Sequence, residues 1–194
     1  RVQNADQLIG VYDANGNYTG FTYDPAGRLV SITDALGSSD QNVYNAAGEM
    51  TAYRDVLGNW TTFTLDVMGQ VEVVTDALGN ETIYTYDAGG QVTVIEDALG
   101  NETLYTYIAR GQVATMEDAD GVVFVYAYDA NGLLLSITDD LGRVTTYGRD
   151  ALGRVTSVTE ADTTLLERTS TQTLDENGNV IKATDALNQS TTFE

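Results

Sequence analysis

The chain has 194 residues, with 29 acids against 9 bases for a formal net charge of −20, and it contains neither histidine nor cysteine. A surface this acidic repels phosphate backbones and anionic lipid, and no apolar run approaches a membrane span, so nucleic-acid binding and membrane insertion are not expected. Without cysteine or histidine, disulfides, soft-metal sites and the usual nucleophile–base pairs cannot be assembled.

The chain opens on Gln7-Leu-Ile-Gly-Val-Tyr12. This aligns with Gln91-Val-Thr-Val-Ile-Glu96 and reads as the second half of a unit whose first half is degraded or absent. From there glycine sets a fixed period: Gly16, Gly37, Gly58, Gly79, Gly100, Gly121 and Gly142 stand 21 residues apart. A second ladder runs through Gly27, Gly48, Gly69, Gly90, Gly111, Gly132 and Gly153, then Gly178 after a slip of four, and the two ladders take 15 of the 19 glycines. A period of this length marks an array of repeats rather than a domain around one core.

Each unit therefore has two turns. Asp-Ala-Leu-Gly and Asp-Ala-Xaa-Gly place Asp first and Gly fourth, the preference of a type I turn whose glycine takes positive φ as a bulge. The single proline, Pro25 in Asp24-Pro-Ala-Gly27, falls at the second turn position, where its fixed φ suits the turn and no ladder hydrogen bond is lost.

Between turns lie short segments rich in Thr, Val, Ile and Tyr, too short and too β-branched for helices. In Thr82-Ile-Tyr84-Thr-Tyr86, alternation sets Thr82, Tyr84 and Tyr86 on one face. The equivalent aromatics are Phe21 and Tyr23, Phe63, Tyr105 and Tyr107, Tyr126 and Tyr128, and Tyr147, which stack as two columns across neighbouring strands. The second strand of each unit departs from strict alternation. Its apolar pairs, such as Val71 and Val74, Val92 and Ile95, or Leu134 and Ile137, are three apart, which requires either a bulge or cover on both faces.

Asn42, Leu65, Ile108 and Arg149 interrupt the pattern locally without removing a turn glycine. Between Gly153 and Gly178 four extra residues predict a longer hairpin loop over 160–169. Asp185-Ala-Leu-Asn-Gln-Ser-Thr-Thr-Phe193 repeats the start of a unit with Asn188 for glycine, so partial units stand at both ends. No linker divides residues 1–194, which read as one array of about eight hairpins. At roughly 4.8 Å per strand such a ribbon is long enough to coil or to curl towards a partial shell. The fold class is all-β: tandem 21-residue hairpins in a coiled antiparallel ribbon or partial shell.

The acids concentrate at turns, as at Asp34, Asp55, Asp76, Asp97 and Asp139. They recur with the period, whereas catalysis needs one singular constellation, so no enzyme activity is expected. Asp13-Ala-Asn-Gly-Asn17, Asp129-Ala-Asn-Gly132 and Asp175-Glu-Asn-Gly-Asn179 resemble pieces of calcium loops but lack the later bidentate acid. Turn chemistry accounts for them, and no cofactor is expected.

The pairs Tyr23-Asp24, Tyr86-Asp87 and Tyr128-Asp129 recur in the frame Gly-(Asn/Arg)-x-x-x-(Tyr/Phe)-x-Tyr-Asp-Ala-x-Gly-(Arg/Gln)-(Leu/Val)-x-x-(Ile/Val)-Thr-Asp-Ala-Leu-Gly. This frame resembles the YD repeats of the Rhs family, found in bacterial Rhs and wall-associated proteins, shell components of Tc toxins and teneurins. The resemblance implies a long spiralling sheet, often closed around another polypeptide, in extracellular or cell-surface proteins. The expected role is a scaffold segment of a shell, stalk or filament, assembling with further repeats or head to tail with itself through strand edges in residues 185–194 and 1–12. The alternatives are an adhesin segment binding glycans or a partner through its aromatics and the 160–169 loop, or a fragment of a toxin-encapsulating cocoon.

Overall fold

A computed structural model gives the fold and describes residues 2–4, 7–161 and 167–193. Every regular element among these is a β-strand. The chain separates into two units, Arg1–Asn101 and Glu102–Glu194.

In the first unit, β1 (Val2–Asn4), β2 (Gln7–Tyr12), β3 (Tyr18–Tyr23) and β4 (Leu29–Thr33) pair antiparallel in chain order. A second run follows: β5 (Gln41–Tyr44), β6 (Met50–Arg54), β7 (Trp60–Leu65), β8 (Val71–Thr75), β9 (Glu81–Tyr86) and β10 (Val92–Glu96). The second unit is itself a meander, beginning with β11 (Glu102–Tyr107), β12 (Val113–Glu117), β13 (Val123–Tyr128), β14 (Leu134–Thr138) and β15 (Val144–Arg149). It ends with β16 (Val155–Ala161), β17 (Glu167–Leu174), β18 (Val180–Thr184) and β19 (Ser190–Thr192). The architecture is tandem hairpins in open antiparallel sheet. The opening unit has a first strand, since β1 pairs antiparallel with β2.

The ladder turns among the described residues share one construction. The N–H of Gly79 donates to Asp76 O at 3.0 Å and the N–H of Asp76 to Asn80 O at 2.9 Å, and the pattern recurs from Asp13 to Asp185. The fifteen ladder glycines have φ between 76° and 96°, and Asn188 holds the same left-handed region at 63°. This region costs a side chain with Cβ roughly 1–2 kcal/mol, which glycine avoids.

The irregular second strands carry a bulge. Val92 lies opposite Tyr86 while Val94 lies opposite Thr85, so Thr93 is an extra residue. Val92 and Ile95 thereby return to the face of Tyr86 and Tyr84. The same shift falls beside Leu29, Val71, Val113, Leu134, Val155 and Val180.

First strands alternate as expected; along β7 and β11, residues are exposed and half-buried in turn. Among the described residues no hydrophobic side chain is fully buried, so this is sheet without an enclosed core. The ladder is interrupted between β4 and β5. There the Asp40 carboxylate takes the Ile32 N–H at 2.8 Å, a place the strand ladder would otherwise fill, leaving a single bridge from Thr33 to Ser39.

The insertion between Gly153 and Gly178 corrects the predicted 160–169 loop. Residues 160, 161 and 167–169 are paired strand, from Glu160 opposite Arg168 to Ala161 opposite Glu167. β16 has 7 residues against 5 in β14, and β17 has 8 against 6 in β15. The remainder of that loop, residues 162–166, lies outside the described residues.

Candidate functional site

The meander gives each unit two rims. One carries the turns that precede first strands, many of them Asp-Ala-Leu-Gly, with Gly16, Gly37, Gly58, Gly79 and Gly100 in the first unit and Gly121 and Gly142 in the second. We call it the leucine rim. The other follows the Tyr-Asp pairs, with Gly27, Gly48, Gly69 and Gly90 in the first unit and Gly111, Gly132, Gly153 and Gly178 in the second. This is the Tyr-Asp rim.

Within each unit the Tyr-Asp rim is clasped from hairpin to hairpin. Four motif tyrosines end their strands with the hydroxyl over the preceding hairpin. Tyr23 donates to Leu8 O at 2.9 Å, Tyr44 to Leu29 O at 2.9 Å, Tyr86 to Val71 O at 2.6 Å and Tyr128 to Val113 O at 2.9 Å. At one position where tyrosine is replaced, Arg149 makes the equivalent bond, Nη2 to Leu134 O at 3.1 Å; before Leu174, the residue two places upstream does so, Gln172 Nε2 to Val155 O at 2.7 Å, as Asn42 does to Leu29 O. These bonds satisfy carbonyls that the bulge takes out of the ladder's regular register.

A second set of contacts runs forward. Arg28 Nη1 donates to Asn45 O at 3.2 Å, Gln70 Nε2 to Gly90 O at 3.1 Å, Gln112 Nε2 to Gly132 O at 2.6 Å and Arg154 Nη1 to Asp175 O at 2.9 Å. The donors are the Arg or Gln that follows each glycine in the sequence frame. That recurrence was the signal for them, although spacing alone does not say that a polar side chain reaches the next turn. Arg28 also lies 4.9 Å from the Tyr44 ring centre, so Arg28, Tyr44 and the Asn42 amide on Leu29 O carry side-chain links across the gap between β4 and β5.

The ten column aromatics, Phe21, Tyr23, Phe63, Tyr84, Tyr86, Tyr105, Tyr107, Tyr126, Tyr128 and Tyr147, are all half-buried. Burial raises the phenol pKa of Tyr86, helped by Asp66 and Tyr84. Burial also raises that of Tyr126, followed by the influence of Tyr128, Tyr105 and Tyr147. Tyr18, outside the columns, lies over Gly10 with its hydroxyl on Ile9 O at 3.0 Å, covering a site with no side chain of its own.

Carboxylates act as turn caps on both rims. Asp76 Oδ1 accepts the N–H groups of Leu78 and Asn80 at 2.8 and 2.9 Å, and Oδ2 accepts the Asn80 amide at 2.7 Å. The Asn80 side chain, then the backbone donors, hold the Asp76 carboxyl below the ordinary aspartate value, and the same arrangement lowers Asp13, Asp55, Asp97 and Asp175. On the Tyr-Asp rim the Arg28 backbone N–H is the first cause at Asp24, and the Arg154 side chain is the first at Asp150. In the three stretches that resemble calcium loops, Asp13, Asp129 and Asp175 are likewise occupied by turn donors. No group of three or more acids among the described residues is placed to hold a metal ion.

The sequence pattern of the RHS repeat matches residues 4–39, 69–102, 86–123, 107–139 and 128–165. Among solved structures, the chain is similar to TcdB2-TccC3-TEV, with a TM-score of 0.75 and 19% identity, covering 96% of this chain and 12% of that one. It is also similar to TcdB2-TccC3-Cdc42, with a TM-score of 0.64, 19% identity and coverage of 91% and 12%. A third likeness is to the Photorhabdus luminescens Tc holotoxin pore, with a TM-score of 0.57, 14% identity and coverage of 92% and 13%. At these identities the likeness is one of fold, and the chain spans only 11–13% of the length of those chains. No curated protein matches the chain.

Proposed function

Because the chain belongs to the RHS repeat family, we propose that it is a non-catalytic segment of the wall of a larger secreted or cell-surface assembly, whose role is to extend and stiffen β-sheet. The observation that carries this reading is the clasp. Hairpins are tied backward by the hydroxyls of Tyr23, Tyr44, Tyr86 and Tyr128 and forward by Arg28, Gln70, Gln112 and Arg154, while no described hydrophobic residue is enclosed. Stability of this kind grows with neighbours and resides in no single unit, the property of a building material. The reading requires no cofactor, and its partners are flanking repeats and whatever the assembly encloses. Within it, the resemblance to Tc toxin shell components favours a shell over a stalk.

Removal of residues 76–96 joins Thr75 to Asp97, which recreates the native Thr75-Asp76 junction. A wall segment tolerates this loss, keeping a β-sheet circular dichroism spectrum and cooperative urea unfolding at a lower midpoint. Collapse of the fold on removing one unit would contradict the reading. Electron micrographs of the intact protein supply the complementary test, because the array must appear inside a continuous wall and not as a free-standing lobe.

A further inference from the structure

The turn chemistry explains Asp and Gly in Asp-Ala-Leu-Gly but leaves the leucine unexplained. In the first unit Leu36, Leu57, Leu78 and Leu99 are 92%, 83%, 87% and 87% exposed. Only their backbone N–H groups serve the fold, donating to the turn aspartates at 2.8–2.9 Å. Any residue supplies that group. Asn15 does so at the equivalent position, donating to Asp13 Oδ1 at 2.8 Å. Four leucines held almost wholly in water at one recurring position carry a solvation cost that the local structure does not return.

Their placement is regular. Two strands separate successive turns, so Leu57, Leu78 and Leu99 recur about every 10 Å along the β5–β10 rim. Seven residues of α-helix rise about 10.5 Å, so a helix with apolar residues at heptad spacing keeps step with this row. The rim is also strongly negative. Asp55, Asp76 and Asp97 are held ionised by their turn donors, Glu81 and Glu96 stand beside them, and Arg54, near Gly58, is the nearby cation. A second copy of this rim would bring like charges together, whereas a basic surface complements it.

We propose that the leucine rim of residues 55–101 receives a basic amphipathic helix of a partner chain. Apolar helix residues seat between Leu57, Leu78 and Leu99, and lysine or arginine faces Asp55, Asp76 and Asp97. This goes beyond the scaffold role and holds whether or not the array lies in a shell wall.

The test is fluorescence anisotropy of a labelled synthetic peptide of about three heptads, built from leucine at heptad positions and lysine elsewhere, titrated with the intact chain. A scrambled peptide of the same composition, with no apolar face, serves as comparator. The parent is expected to bind the patterned peptide at least about tenfold more tightly than the scrambled one. The triple variant L57N/L78N/L99N, which copies the natural Asn15 turn, should lose at least about tenfold in affinity while keeping its circular dichroism spectrum. Should the triple variant unfold, Leu78→Asn alone and the scrambled peptide carry the comparison. Equal binding of both peptides would mean charge attraction only and would overturn the proposal, as would undiminished binding by a folded leucine variant or no binding at all. Self-association of the parent by light scattering, abolished in the variant, would assign the rim to a second copy and overturn it equally.

Discussion

The two rims use the same turn, the same aspartate cap and the same left-handed glycine, yet one is covered and the other is bare. A Cβ on Gly90 would stand 3.2 Å from Gln70 Nε2, one on Gly132 3.2 Å from Gln112 Oε1, and one on Gly153 2.9 Å from the Leu133 side chain. At Gly37, Gly79 and Gly121 nothing lies within 4 Å, and at Gly58 and Gly100 the neighbours are Arg54 at 3.3 Å and Glu96 at 3.9 Å, side chains of the strand that leads into the same turn. Local backbone chemistry is therefore identical on both sides, and what differs is whether the preceding unit reaches over the turn. Cohesion of the array is concentrated on the Tyr-Asp rim, while the leucine rim is left free.

The largest effect should come from placing the same lesion on each rim. Gly79→Ala and Gly90→Ala meet nearly the same φ, 85° and 82°, so both should lose about 1–2 kcal/mol to strain. Gly90→Ala should also displace Gln70 from Gly90 O and lose roughly 1 kcal/mol more, seen as a lower urea midpoint. Equal midpoints would show that the clasp contributes nothing.

Next in size is Tyr86→Phe, which leaves Val71 O without its 2.6 Å donor and should cost about 1 kcal/mol. Tyr84→Phe, in the other column, should stay within roughly 0.5 kcal/mol of the parent. A smaller, local effect is expected at the gap between β4 and β5. Asp40→Ala removes the acceptor of the Ile32 N–H, so hydrogen exchange at Ile32 should accelerate while exchange at Ile95 is unchanged.

The smallest difference between the rims is expected in acid. The capping aspartates have folded-state pKa values below the ordinary 3.8, so the stability they add is complete above that value and is lost as pH falls below it. The urea midpoint should hold from pH 7 to about 5 and then decline below pH 3.8. Asp76→Asn should flatten part of this decline, and a midpoint that rises on acidification would contradict the assignment.

Much of the architecture was legible because period, turn chemistry and strand alternation agree at every unit. Asp76 and Gly79 specify a turn whatever surrounds them, and Tyr84 and Tyr86 share a face by pleat alone. The pair Val92 and Ile95 exposed the irregularity of the second strand, but sequence left bulge and double cover equally open because the choice depends on the partner's register. The clasps were hidden for a different reason. Gln70 and Tyr86 look like an ordinary polar residue and a column aromatic until the preceding and following hairpins are in place. Asp40 was missed because an aspartate beside a turn reads as turn chemistry, whereas here it competes with the strand's own ladder.

The way the chain absorbs four additional residues before Gly178 has a consequence for how such arrays change length. Two went into β16 and two into β17, and every pair from Ser157 opposite Thr171 to Ala161 opposite Glu167 stays in register. Because the two arms gained the same number of residues, every pair below the addition keeps its partner and its face. A hairpin can thus be drawn out as a telescoping finger by equal additions to its two arms, while an odd total slips one arm against the other and turns its inner surface outward. Length polymorphism in relatives of this chain should follow that parity.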